Sequence, residues 1–225
     1  MNHLRTRAVH AGQGPDPAHG AIATPIHQTT AFGYGTLAQG ADVFAGEADG
    51  YRYSRFAKPT VHALEAKMAD LEGAATALAM SSGTAATSAI VLGLLKPGDD
   101  IVFLGPLYGG TENLFRSLAE RFGIRAIDAS ERGLANSLTP TTRMVWVEPL
   151  TNPSLHLHDL SQVAALCKAR GIISVADSTF CTPCLTRPLE HGIDLVMHSM
   201  TKYLGGHGDA TGGLVAGAEP LVRAI

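Results

Sequence analysis

The sequence predicts an α/β fold, a mostly parallel sheet flanked by helices on both faces. Two observations carry this. From Thr60 onward, short apolar runs alternate with segments of helical periodicity, and glycines close several of the helical segments. Short apolar strands alternating with helices imply a sheet that is covered on both sides.

Taken in order, "TVHALEAKMADLEG" carries Val61, Leu64, Met68 and Leu71 at helical spacing and stops at Gly73. "ATALAMS" reads as a short buried strand, and "GTAATSAIVLGLL" as a buried helix closed by "KPGD". "DIVFLG" is a strand, and "GTENLFRSLAERFG" an amphipathic helix ending at Gly123. "IRAIDA" and "RMVWVEP" are strands, followed by the helix "DLSQVAALCKARG". The strands "IISVADS", "DLVMHS" and "GGLVAGA" precede a last helical start at "EPLVRAI". Residues 13–58 differ, being rich in Gly, Pro and Thr without sustained periodicity. A stretch that long without elements is often functional or wrapped on a partner.

Composition narrows the function classes. Hydrophobic content of 45% with 16% charged residues fits a compact globular chain, and a formal charge of -3 gives no pull toward nucleic acid or anionic lipid. The opening "MNHLRTRAVHAG" has no apolar core of signal-peptide length, so a cytoplasmic location is expected. Gly73–Leu95 lacks any charge, but its middle, "MSSGTAATS", is too polar for hydrocarbon. Cys167, Cys181 and Cys184 cannot make a disulfide framework. Cys181 and Cys184 form a CxxC that leaves a redox module open; a zinc site would want a second ligand pair.

In open parallel sheets, ligands collect at the carboxyl ends of the strands. Ser82, Gly83 and Thr84 fall between a strand and a helix, where backbone N–H groups and the helix dipole can hold a phosphate. Ser82 would serve equally as a plain helix cap. Asp177 ends the strand "VADS", and a buried strand-end aspartate needs a cationic partner or hydrogen bonds to stay charged. Ser199, Thr201 and Lys202 end the next strand. Of the five lysines, Lys67 and Lys168 fall on polar helix faces, Lys96 in a turn and Lys58 in the irregular stretch, which leaves Lys202 beside hydroxyls at a strand end. Pyridoxal phosphate needs an amine for its Schiff base, a carboxylate for its ring nitrogen and a phosphate pocket. In a desolvated site the pKa of Lys202 would fall, freeing a neutral amine.

These residues, with "TRAVHAG", "YRYSRFAKPT", "SSGTAA", "LYGGT", "TNP", "VADSTFCTP" and "HSMTKYLGGHGD", resemble the Cys/Met-metabolism (trans-sulfuration) family of pyridoxal-phosphate enzymes over essentially the whole chain. That family groups cystathionine gamma-synthase and gamma-lyase, methionine gamma-lyase and the homoserine-ester sulfhydrylases of methionine and cysteine metabolism. The resemblance implies the large domain of a fold-type I (aspartate aminotransferase-like) enzyme, with an irregular arm over 1–58 that contacts a neighbouring subunit and a cofactor-binding domain over 59–225. It implies Lys202 as the Schiff-base lysine and later the proton shuttle, and Asp177 as the partner of the pyridine nitrogen. Tyr108 would stack on the ring and assist acid-base steps, and Asn152 would contact the ring hydroxyl side. Ser82, Gly83, Thr84, Ser199 and Thr201 would bind the phosphate. Tyr53 and Arg55 would be donated from a neighbouring subunit of a homodimer or homotetramer.

Departures from the family pattern are Lys58 where "NPT" is usual, Ser178 where asparagine is common, and "EPLTNP" in place of "ESPTNP". Gly110 stands where many methionine gamma-lyases carry cysteine. The sequence stops about halfway along a typical family member, which implies that the C-terminal small domain and its carboxylate-binding arginine are absent. The expected activity is gamma-elimination or gamma-replacement on sulfur amino acids or homoserine esters. A truncated, non-catalytic cofactor binder and the CxxC redox module are the alternatives.

Overall fold

A computed structural model describes residues 3–225, and backbone contacts group the chain into two compact units that meet between Met68 and Ala69. In the first unit, helix α1 (Leu4–His10) is followed by α2 (Leu37–Ala45), and α3 (Pro59–Glu72) begins. The sequence signals no element between 13 and 58, yet α2 forms there. Its caps explain it. The Thr36 hydroxyl accepts the Gln39 N–H at 3.1 Å, and Gly46 closes the helix in the left-handed region with φ 78°. Nine residues are too few for the periodicity that reveals longer helices. Lys67, read as a residue of a polar helix face, donates its ammonium to the carbonyls of Ala8 and Val9 at 3.1 and 2.9 Å and so satisfies the open end of α1.

The second unit is built on seven strands. They are β1 (Thr76–Met80), β2 (Asp100–Leu104), β3 (Arg125–Asp128), β4 (Thr142–Val147), β5 (Ile173–Asp177), β6 (Leu195–Ser199) and β7 (Gly213–Gly217). Their order in the sheet is β1-β7-β6-β5-β4-β2-β3. Only β7 runs opposite to the other six strands, and the reason is local. The other links carry helices that return the chain to the same end, whereas residues 200–212 between β6 and β7 form turns and no helix.

Helices α4 (Gly83–Leu94), α5 (Gly109–Phe122) and α9 (Glu219–Arg223) supply Ile90, Phe115 and Val222 to one core, with Phe103 and Trp146 from the sheet. Helix α7 (Leu160–Arg170) packs Val163, Ala164 and Cys167 on a second core with Val102, Val145 and Val147. Neighbours in sequence thus point to opposite cores, as the two-residue period of a strand requires. Trp146 and Phe115 are almost fully buried and meet edge to face at 5.3 Å, and burying such a side chain contributes about 1.5–3 kcal/mol. Two single-turn helices, α6 (Leu134–Ser137) and α8 (Thr182–Leu185), were not foreshadowed by periodicity. The charge-free stretch 73–95 is β1, a turn and α4. No helix among the described residues is long and apolar enough to cross a membrane.

Candidate functional site

Six strands run the same way, so their carboxyl ends open on one side of the sheet. There they line a cavity of about 220 Å3. The turn after β1 contributes Ser82, Gly83 and Thr84, and the segment after β2 contributes Tyr108 and Gly110. Glu148, Leu150 and Asn152 follow β4; Asp177, Thr179 and Phe180 close β5; Ser199, Thr201 and Lys202 close β6. Nine of the sequence candidates therefore share one cavity: Ser82, Gly83, Thr84, Tyr108, Asn152, Asp177, Ser199, Thr201 and Lys202. Tyr53 and Arg55 belong to the first unit, where the Arg55 guanidinium lies 5.0 Å from the Tyr53 ring centroid.

The anion cradle follows from close backbone packing. Ser82 caps α4, its hydroxyl accepting the Ala85 N–H at 3.1 Å. A Cβ on Gly83 would stand 2.6 Å from that of Ser199, and one on Gly213 would stand 2.0 Å from the Ser82 carbonyl oxygen. Glycine at both positions seats the start of α4 directly on the ends of β6 and β7. The N–H groups of that helix start, with the Thr84 and Ser199 hydroxyls nearby, form a site suited to a phosphate dianion. The Thr201 hydroxyl, also at the cavity, donates to the Gly212 carbonyl at 3.3 Å and accepts the Gly212 N–H at 3.1 Å.

Asp177 is 8% exposed. Burial pushes its carboxyl up, against the opposing influence of the Thr179 hydroxyl, the Thr179 N–H and the nearby His198. The Thr179 hydroxyl donates to Asp177 Oδ1 at 2.5 Å and accepts the Ser199 N–H at 2.9 Å. One threonine thus ties the aspartate to the strand end that leads to Lys202. A carboxyl so buried calls for a cationic partner or further hydrogen bonds to ionise, and a protonated ring nitrogen would be one such partner.

Lys202 is exposed on the turn after β6. The described residues do not bury its amine, so the desolvation expected of it is not found. The physical reason lies in the turn itself. Its backbone N–H bonds the Ser199 carbonyl and its carbonyl accepts from Gly206, placing the side chain at the cavity's open edge. The Tyr108 ring, half exposed, lies against Gly110, where a Cβ would stand 2.5 Å from the tyrosine Cε1. Cys181 is buried with its thiol pushed up by that burial, while Cys184 is exposed. A raised thiol pKa works against a reactive thiolate.

Glu148 and Thr179 escaped the sequence reading. The signal was present for Glu148, an acid ending the apolar run "RMVWVEP", as Asp177 ends "VADS". Desolvation, with the charge of Asp177 adding and the N–H groups of Tyr108 and Asn152 opposing, holds the Glu148 carboxyl up at about 7. Its ordinary value is 4.5, so the folded chain binds this proton more tightly than the unfolded chain. The associated stability is complete below about pH 4.5 and is lost as pH rises through about 7. Cofactor-free protein should lose on the order of 3 kcal/mol relative to Glu148→Gln over that range. Urea unfolding of both proteins across this range checks it, and a constant difference would contradict it.

This mostly parallel sheet with its flanking helices is that of the large domain of fold-type I pyridoxal-phosphate enzymes. The chain belongs to the family "Cys/Met metabolism PLP-dependent enzyme", whose model matches residues 5–224. It is 43% identical to L-methionine gamma-lyase of Pseudomonas putida, over 98% of this chain and 56% of that protein. It is 42% identical to cystathionine gamma-synthase of Mycobacterium bovis, over 96% of this chain and 55% of that protein. A solved structure from Campylobacter jejuni, described as an O-acetylhomoserine (thiol)-lyase with N'-pyridoxyl-lysine-5'-monophosphate, superposes with a TM-score of 0.92 at 31% identity, over 100% of this chain and 56% of that one. The chain spans a little over half the length of these relatives.

Proposed function

We propose that this chain binds pyridoxal 5'-phosphate in the strand-end cavity and serves a trans-sulfuration reaction, gamma-elimination or gamma-replacement on sulfur amino acids or homoserine esters. One observation carries the reading: an anion cradle, a buried carboxylate and a primary amine line a single cavity. When bound, the cofactor supplies an electron sink for charge developing beside the substrate's alpha carbon.

The rest is the work of this chain's side chains. Lys202 is the covalent anchor for the cofactor aldehyde and, once released, the base that moves protons between substrate carbons. Asp177 keeps the ring nitrogen protonated. Tyr108 stacks on the ring and assists proton transfer, and Asn152 contacts the ring hydroxyl side. Ser82, Gly83, Thr84, Ser199 and Thr201 hold the phosphate. Tyr53 and Arg55 complete a neighbouring subunit's phosphate site in a cytoplasmic homodimer or homotetramer.

Similarity alone does not separate the reactions, since a lyase and a synthase match at 43% and 42% identity. Gly110 is the feature that favours enzymes other than methionine gamma-lyase, because the Tyr108 ring occupies the space that a cysteine side chain would enter. The test incubates purified protein and pyridoxal phosphate with O-acylhomoserine, cystathionine and methionine, with and without sulfide. Release of 2-oxobutanoate from homoserine-type substrates, diverted to a sulfur amino acid when sulfide is present, is expected. No keto acid and no exchange product from any of them would overturn the reading.

A further inference from the structure

We propose that Glu148 is a positioning residue, a carboxylate clip that sets the spacing between Tyr108 and Asn152, the two residues assigned above to the cofactor ring. The inference rests on the pyridoxal-phosphate reading above. The clip is geometric. The Tyr108 N–H donates to Glu148 Oε1 at 2.6 Å, and the Asn152 N–H donates to Glu148 Oε2 at 3.0 Å. Tyr108 is the residue before α5, after β2; Asn152 lies in the segment after β4. One side chain therefore joins two segments that no strand pairing holds at these positions.

The side chain is 4% exposed and also lines the cavity. Above about pH 7 the Glu148 carboxyl is ionised and accepts at both ends, so the clip closes fully there, whereas a glutamine amide has one accepting end and one donating end. Glutamine would thus set an NH2 group against a backbone N–H. Aspartate keeps the charge but is shorter by one methylene, so it cannot span both donors. The other titratable side chains lining the cavity are Tyr108, Asp177 and Lys202. Among these, Asp177 is the one that repels the Glu148 charge. Bonds to two N–H donors offset that repulsion, which accounts for a second acid being kept beside Asp177. Tyr108 is fixed from two directions, its backbone by Glu148 and its ring by contact with Gly110.

The test uses Glu148→Gln and Glu148→Asp, alone and in a Tyr108→Ala/Asn152→Ala background, with pyridoxal phosphate as the probe. Equilibrium titration followed by absorbance and induced circular dichroism gives the affinity. Amide hydrogen exchange is read separately on the cofactor-free chain. Either single variant should weaken pyridoxal-phosphate binding about 10- to 100-fold, the range for a lost charge-assisted hydrogen bond. In the double-alanine background the same change should cost less than about threefold, because a clip acts only through what it holds. The Tyr108 and Asn152 amides should exchange at least about tenfold faster in the variants, while Val102 and Val145 in the sheet keep their rates. Full additivity in the double-alanine background, or unchanged exchange at Tyr108 and Asn152, would overturn the clip. A wild-type chain that takes up no pyridoxal phosphate overturns the functional reading instead, and the two amides then decide alone whether the clip exists.

Discussion

Lys202→Ala should give a protein that unfolds at the wild-type denaturant midpoint yet has lost its borohydride-reducible yellow chromophore and its turnover. The two halves of this expectation have separate causes. The side chain is exposed on a turn, and such substitutions usually change stability by less than about 0.5 kcal/mol. The amine, by contrast, is both covalent anchor and proton carrier in the proposed chemistry. Removing a positioned proton carrier alone costs about 10²- to 10⁴-fold in rate. Pyridoxal phosphate should still enter, held by the start of α4 and by Asp177, but more weakly and without the covalent link. Absorbance spectra before and after borohydride, together with release of 2-oxobutanoate, read both effects. A variant that keeps either the reducible chromophore or wild-type turnover would remove Lys202 from its role.

The largest expected loss of stability comes from a pair that does not itself line the cavity. Glu72, at the end of α3, and His198, next to the last residue of β6, are both fully buried, with Glu72 Oε1 and His198 Nε2 2.5 Å apart. Among the described residues, neither Glu72 Oε2 nor His198 Nδ1 has a hydrogen-bond partner. Glu72→Ala would leave the imidazole buried with no hydrogen bond and open a void where the carboxyl stood. Removing one partner of a buried pair typically costs about 3–5 kcal/mol, a large share of the stability of any domain. Glu72→Gln keeps the volume and one hydrogen bond and should lose clearly less. Urea midpoints of the two variants measure the difference. An alanine variant within about 1 kcal/mol of wild type would show that the pair contributes little.

That pair also marks where the sequence stopped being informative. Its members are 126 positions apart, and nothing in "DLEG" or "VMHS" says that they meet. Strands β1 to β7 are legible because each holds a short run of apolar residues beside turn residues. The carboxyl-end residues were legible because a mostly parallel sheet sends its polar strand ends to one side. Three features were not. Helix α2 is held by its caps rather than by a long apolar face. Glu148 and Thr179 meet the backbone N–H groups of Tyr108 and Ser199, 40 and 20 positions away, which only the fold brings near. The exposure of Lys202 is set by the turn that carries it, which its place at a strand end does not reveal. The family motifs made the cofactor legible, and the same motifs are common to lyases and synthases, so the reaction was not.

The central claim is that one amine, at position 202, anchors the cofactor at the strand-end cavity. Reducing the pyridoxal-phosphate complex with borohydride and mapping the modified peptide by mass tests it most directly. The account predicts a pyridoxyl phosphate label on Lys202 and on no other lysine. A label on Lys58, Lys67, Lys96 or Lys168, or no label on any peptide, would contradict it.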